Sequence, residues 1–216
     1  MTAQRTVEYV GEHKLQQVFL SVEDHIAVMT LHNPPVNAAS GTVQEEILLL
    51  CDYINHDDDI WVCVMHSDLK TFCVGVDINR FYQSILDKDV TNTQEVYYDG
   101  AQALYDLRVP LICAVHGHCL GGGLCYPAGA DISIAVKGTL FGAPEAKLSV
   151  VGGCGHLARI LPPQVQRDMC YCGTFMTAEE LHDKYGGVTM VVDTLEELMP
   201  AAMGKARELC KRGPLV

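Results

Sequence analysis

Residues 114–131, AVHGHCLGGGLCYPAGAD, set three consecutive glycines (Gly121, Gly122 and Gly123) between an apolar run and an Ala/Leu-rich segment of helical character. Bare backbone at such a turn implies that something approaches it closely. A phosphate is the first candidate, but neither of the common cradles fits. A P-loop needs G-x-x-x-x-G-K-[ST], and no lysine follows these glycines; the dinucleotide fingerprint needs G-x-G-x-x-G, and Cys119 stands in the place of its middle glycine. Two uses remain. The glycines can permit close helix–strand packing, or they can present a helix-start N–H, free of an intrahelical partner, to an oxygen that gains negative charge during a reaction. One N–H makes a weak hole, so a second donor is expected from another strand end. The stretch FCVGVD (72–77) offers one: Gly75 lets the chain turn and exposes the N–H of Val76.

Outward from this turn the chain alternates strands and helices. QQVFLSVED and HIAVMTLHN read as a hairpin, DIWVCVMHS as a buried strand, and LICAVHG and DISIAV as the strands flanking the glycines. Thr42 and Glu45 have the spacing of a capping box ahead of a helical face formed by Ile47, Leu50, Cys51 and Ile54. DKDVTNTQ (87–94) reads as a polar loop before the helix EVYYDGAQALYDLRV. Beyond Gly152 the pattern is mainly helical, with capping pairs Thr177/Glu180 and Thr194/Glu197 around the strand VTMVVD. This order predicts an α/β fold with right-handed crossovers.

The 216 residues suit one domain, 1–216, with a full core. A net charge of −12 argues against a nucleic-acid or anionic-membrane surface. No apolar run reaches membrane-spanning length, and no secretory leader is visible at the N-terminus. Most of the ten cysteines lie within apolar runs, and there is no C-x-x-C pair. They read as reduced thiols of a cytoplasmic protein without a metal site.

Three separated segments, FCVGVDI, AVHGHCLGGG and TLFGAPEAKLSVVGGCGHLARIL, resemble the crotonase (enoyl-CoA hydratase/isomerase) superfamily. The resemblance runs from NPPVNAAS to RELCKRGPLV. It implies a spiral of ββα units followed by C-terminal helices, assembly into homotrimers or hexamers, and acyl-CoA thioester substrates. No separate cofactor is implied, coenzyme A being part of the substrate. The two N–H groups that hold the family's enolate oxyanion match Val76 and Gly122, and Lys70, Val74 and Val76 match its CoA-binding segment. A solvated surface lysine is the other reading of Lys70. Family chains continue past a segment like RGPLV, so this C-terminal extension is expected to be absent or truncated here.

Hydration usually takes two carboxylates, and the resemblance implies that the family's hydratases place one glutamate two residues after the triple glycine and another twenty residues later. Here those positions hold Cys125 and Glu145. A single carboxylate beside an oxyanion hole can remove and return a proton α to a thioester. The expected chemistry is therefore isomerase-like, with ring-opening C–C hydrolysis or decarboxylation of a β-keto acyl-CoA as alternatives. A non-catalytic protein binding CoA or RNA is the reading from another class. Glu145 is otherwise a surface carboxylate after a turn. Cys125 is either inert lining or, at a helix start, an activated nucleophile. His118 and His156 could serve as acid or water-holder, or be partly buried and satisfied. His156 has the stronger case, because GHLARILP resembles a subgroup that includes ring-opening acyl-CoA hydrolases of steroid breakdown. Tyr126 is a pocket candidate without an assigned role.

Overall fold

Strand residues that are apolar at every position, as in Val62–Met65 and Leu111–Val115, must be covered on both faces, and this dictates a layered arrangement. In the computed structural model, which describes residues 4–214, β1 (Arg5–Val7) is followed by a small hairpin of β2 (Tyr9–Val10) and β3 (His13–Lys14). β4 (Val18–Glu23) and β5 (Ile26–Leu31) form the expected antiparallel hairpin. Helix α1 (Gly41–Asn55), β6 (Val62–Ser67), α2 (Ile78–Leu86) and α3 (Val90–Tyr105) come next. β7 (Leu111–Val115), β8 (His118–Leu120), a 3-10 turn (Gly121–Leu124) and α4 (Cys125–Gly129) carry the glycine segment. β9 (Ile132–Val136), β10 (Leu140–Gly142), a second 3-10 turn (Pro144–Leu148), α5 (Cys154–Leu157), α6 (Pro163–Cys172) and β11 (Phe175–Thr177) follow. The chain closes with α7 (Ala178–Glu180), a π-type turn (Leu181–Tyr185), β12 (Met190–Val192) and α8 (Leu195–Cys210).

The large sheet has the order β1-β4-β5-β6-β7-β9-β12, parallel from β5 onward. A small sheet has the order β11-β10-β8, and a Cys73–Cys119 bridge extends it. The chain thus visits the large sheet and then the small one in each turn: β6 then Cys73, β7 then β8, β9 then β10. Side-chain alternation divides the core. Cys63, Met65, Leu111, Cys113 and Val115 face the main core, which α1 also walls. Val62, Val64, Ile112, Ala114 and Ile134 face Leu198, Ala202 and Ala206 of α8.

Two local expectations need correction. The N-cap of α1 is Ser40, whose Oγ accepts from Val43 N at 3.1 Å; Thr42 already lies inside the helix. The stretch expected as a loop over 87–94 gives way to helix α3 at Val90. The capping boxes at Thr177/Glu180 and Thr194/Glu197 are present.

Candidate active site

Where the small sheet ends, the two glycine segments meet. Gly75 has φ +92°, and a β-carbon there would lie 2.8 Å from Leu120 O and 3.1 Å from Gly122 N. Only glycine permits this approach, which brings the chain at Val76 beside the start of the 3-10 turn. Ala39 N donates to Gly75 O at 2.7 Å, and Asp77 N donates to Ala39 O at 3.1 Å. In such a parallel bridge the intervening residue points its own N–H to the opposite side. Val76 N–H accordingly meets no acceptor among the described residues. Gly122 is the second residue of its turn, where an N–H has no intrahelical acceptor. A β-carbon on Gly122 would lie 3.2 Å from Val76 Cγ2 and 3.8 Å from Val76 N, so the two donors share one small space. Asp77 then caps α2, accepting from Asn79 N and Arg80 N.

This space opens into a cavity of about 500 Å³ with mainly apolar walls. Val74, Gly75 and Val76 form one side, and Gly121, Gly122, Cys125 and Tyr126 another; Glu145 and His156 complete it. Glu145 follows Pro144 in the second 3-10 turn, which aims its carboxylate across Gly121. A β-carbon on Gly121, at φ +52°, would lie 3.1 Å from Glu145 Oε2. That oxygen is buried and has no hydrogen-bond partner among the described residues. Burial, which disfavours the charged form, raises the Glu145 pKa above its ordinary 4.5.

Cys125 also lies within the cavity wall, 6% exposed. α4 opens at Cys125, directly after the 3-10 turn Gly121–Leu124, so the thiol does sit at a helix start. Burial first, and the nearby Glu145 charge second, push its pKa up to about 12. Both effects favour the protonated thiol over a thiolate. His156, 8% exposed, accepts at Nδ1 from Arg159 Nη1 at 2.6 Å. Burial, and then the Arg159 charge, lower its pKa. A neutral ring with Nδ1 as acceptor carries its proton on Nε2, which leaves a donor. Arg159 is itself stacked on Tyr105, with Cζ 3.5 Å from the ring centre.

Not every expected residue is here. His118 is exposed on β8 and does not line the cavity: strand alternation sends its neighbour Cys119 inward and His118 outward. Lys70 is exposed and also outside the cavity wall. Tyr126 is fully buried, and its hydroxyl accepts from Gln44 Nε2 at 2.7 Å. Gln44 and Tyr97, which the sequence reading passed over, line the cavity as well. Its mouth carries exposed apolar side chains, Ile78 (64%) and Leu148 (59%) among them. Among the described residues no group of three or more His, Cys, Asp or Glu could hold a metal, and no helix is long and apolar enough to cross a membrane.

Comparison with known proteins agrees with this architecture. The family model for enoyl-CoA hydratase/isomerase matches residues 21–216. A hexahydroindene-carboxyl-CoA hydrolase of Rhodococcus jostii is 30% identical over 169 residues, 78% of this chain and 65% of that protein. A carnitinyl-CoA dehydratase of Salmonella arizonae is 40% identical over 121 residues, 55% of this chain and 46% of its own. The matched segments thus span less than two-thirds of either relative. The solved structure of Pseudomonas aeruginosa DspI superposes with a TM-score of 0.88 at 26% identity, over 95% of this chain and 79% of that one. The expected α/β crotonase fold is therefore the observed one, and the chain belongs to the enoyl-CoA hydratase/isomerase family.

Proposed function

We propose that the protein acts on acyl-CoA thioesters by enolate chemistry, with Val76 and Gly122 N–H groups holding the thioester oxygen and Glu145 as the carboxylate acid/base. The observation that carries this reading is the unpartnered, buried Oε2 of Glu145 beside the two unpaired N–H groups. A carboxylate so desolvated is a stronger base than one in water, and donors fixed before the reaction favour the charge that develops on the oxygen. Glu145 takes the α-proton of a β,γ-enoyl thioester, the electron pair moves through the dienolate, and the same carboxyl returns the proton to the γ-carbon. The product is the α,β-isomer, with no atom gained or lost. Cys125 stands where a second carboxylate would assist addition of water, so hydration is the slower reaction. The CoA moiety lies toward Lys70 and Val74, and the protein assembles into a homotrimer or hexamer in the cytoplasm. The exposed apolar mouth suits cover by a neighbouring subunit.

A second reading is hydrolytic C–C cleavage of a β-keto acyl-CoA. It is favoured by His156, a neutral ring with a proton on Nε2, in the cavity wall and by the similarity to a ring-carboxyl-CoA hydrolase. Incubation with β,γ-enoyl-CoA, α,β-enoyl-CoA and a cyclic β-diketone acyl-CoA separates the readings. The proposal predicts fastest turnover of the first, without change of mass. Preferential addition of water to the second would overturn it, and ring opening of the third would replace it with the hydrolytic reading.

A further inference from the structure

One wall of the cavity holds polar groups that the proposed proton transfer does not use. Gln44 lies on the buried face of α1 in line with Ile47 and Cys51, and is 3% exposed. Its amide joins Tyr126 Oη through Nε2, while Oε1 is buried with no partner. Opposite, α3 has Gly100, and any β-carbon there would collide with Gln44 Oε1. Tyr97, one helical turn before Gly100, lines the same cavity, and its hydroxyl is also buried without a partner. Turning the amide over changes nothing essential: Tyr126 would then donate to Oε1 and leave Nε2 unpaired instead.

An unpaired amide end and an unpaired phenol are costly to bury; Phe in place of Tyr97 would fill this wall without that cost, whereas Leu in place of Gln44 would in turn orphan the buried Tyr126 hydroxyl. Space for the amide is moreover cleared on the facing helix. Among the described residues no Lys or Arg lines the cavity, although the charges of Arg80 and Arg159 reach Tyr97 and Cys125 from behind its wall, and an anionic group would face Glu145. A neutral oxygen suits either group: a ketone or hydroxyl oxygen can accept from the Tyr97 hydroxyl, and a hydroxyl can donate to Gln44 Oε1.

We propose that the α1–α3 wall recognises an oxygen function, ketone or hydroxyl, on the acyl chain, with Gln44 and Tyr97 as the residues that select oxygenated acyl-CoAs over plain alkyl ones. This rests on the reading of the cavity as an acyl-CoA pocket.

The test measures binding alone, by calorimetry, using unreactive S-alkyl-CoA thioethers in which one keto or hydroxyl group is moved along a constant chain. At one position the oxygenated analogue should bind about tenfold more tightly than the alkyl parent, the scale of a buried hydrogen bond. Gln44→Leu and Tyr97→Phe should each remove most of that advantage. If Gln44→Leu does not fold, Tyr97→Phe, which deletes a single oxygen, still decides. An alkyl parent that binds as well as every oxygenated analogue overturns the inference, as does an advantage that survives in Tyr97→Phe. Binding of no member of the series overturns the acyl-CoA reading and this inference together.

Discussion

The Glu145 carboxylate lies directly over Gly121: a β-carbon at position 121 would come within 3.1 Å of Oε2, an oxygen that no group among the described residues satisfies. The glycine therefore does two things. It adopts the left-handed φ of +52° that starts the turn, and it leaves room for the carboxylate beside the two backbone donors.

A desolvated carboxylate without a partner costs stability when charged. Its folded pKa is raised above 4.5, so the protonated form is favoured by folding; stability is fully present below 4.5 and is lost as the pH rises through the folded value. Glu145→Gln should consequently melt at a higher temperature than the parent at neutral pH, and the two curves should converge in acid. Thermal melts across this range check the sign, and a variant less stable at neutral pH would show that the charge is compensated.

Gly122→Ala places a methyl group 3.2 Å from Val76 Cγ2, in the space between the two N–H groups. The fold should survive, since the neighbour is the end of a side chain and the residue lies at a surface of the cavity. Turnover should fall by roughly a hundred- to a thousandfold, the usual cost of disabling one oxyanion donor. Steady-state kinetics with circular dichroism to confirm folding makes the comparison.

Cys125→Ala should keep most of the activity, and thiol reagents should modify Cys125 slowly, because its pKa of about 12 leaves almost no thiolate. The opposite change, Cys125→Glu, puts a second carboxylate near Glu145. Like charges at one site raise one pKa toward that of a proton donor. Hydration of a short α,β-enoyl-CoA should rise above the parent rate, measured on the same substrate.

Much of the fold was legible because the strands are buried on both faces, so that Val62–Met65 and Leu111–Val115 announce themselves as continuous apolar runs. The cap of α1 was misplaced by two residues because Ser40 and Thr42 are both capping types; which of them lies outside the helix is settled by the backbone, with Ser40 also donating to Gln17 Oε1 at 2.6 Å. The start of α3 was missed since polar residues 87–94 carry no apolar period. At the site, glycine placement pointed to Val76 and Gly122, and the family resemblance to Glu145; all three line one cavity. His118 was misjudged because proximity in sequence says nothing about which face of β8 a side chain takes. Gln44 and Tyr97 went unread, as polar residues on helices are usually solvated; the available signal was Gln44 in register with Ile47 and Cys51 on an apolar face.

The most direct test of the central claim is α-proton exchange in D₂O, followed by mass spectrometry of an acyl-CoA panel incubated with the parent and with Glu145→Gln. The parent should incorporate deuterium at the α-carbon. The variant, which keeps the shape of the side chain but cannot accept the proton, should bind the same acyl-CoA and exchange roughly a hundred- to ten-thousandfold more slowly. Exchange by Glu145→Gln at a rate near that of the parent would contradict the account.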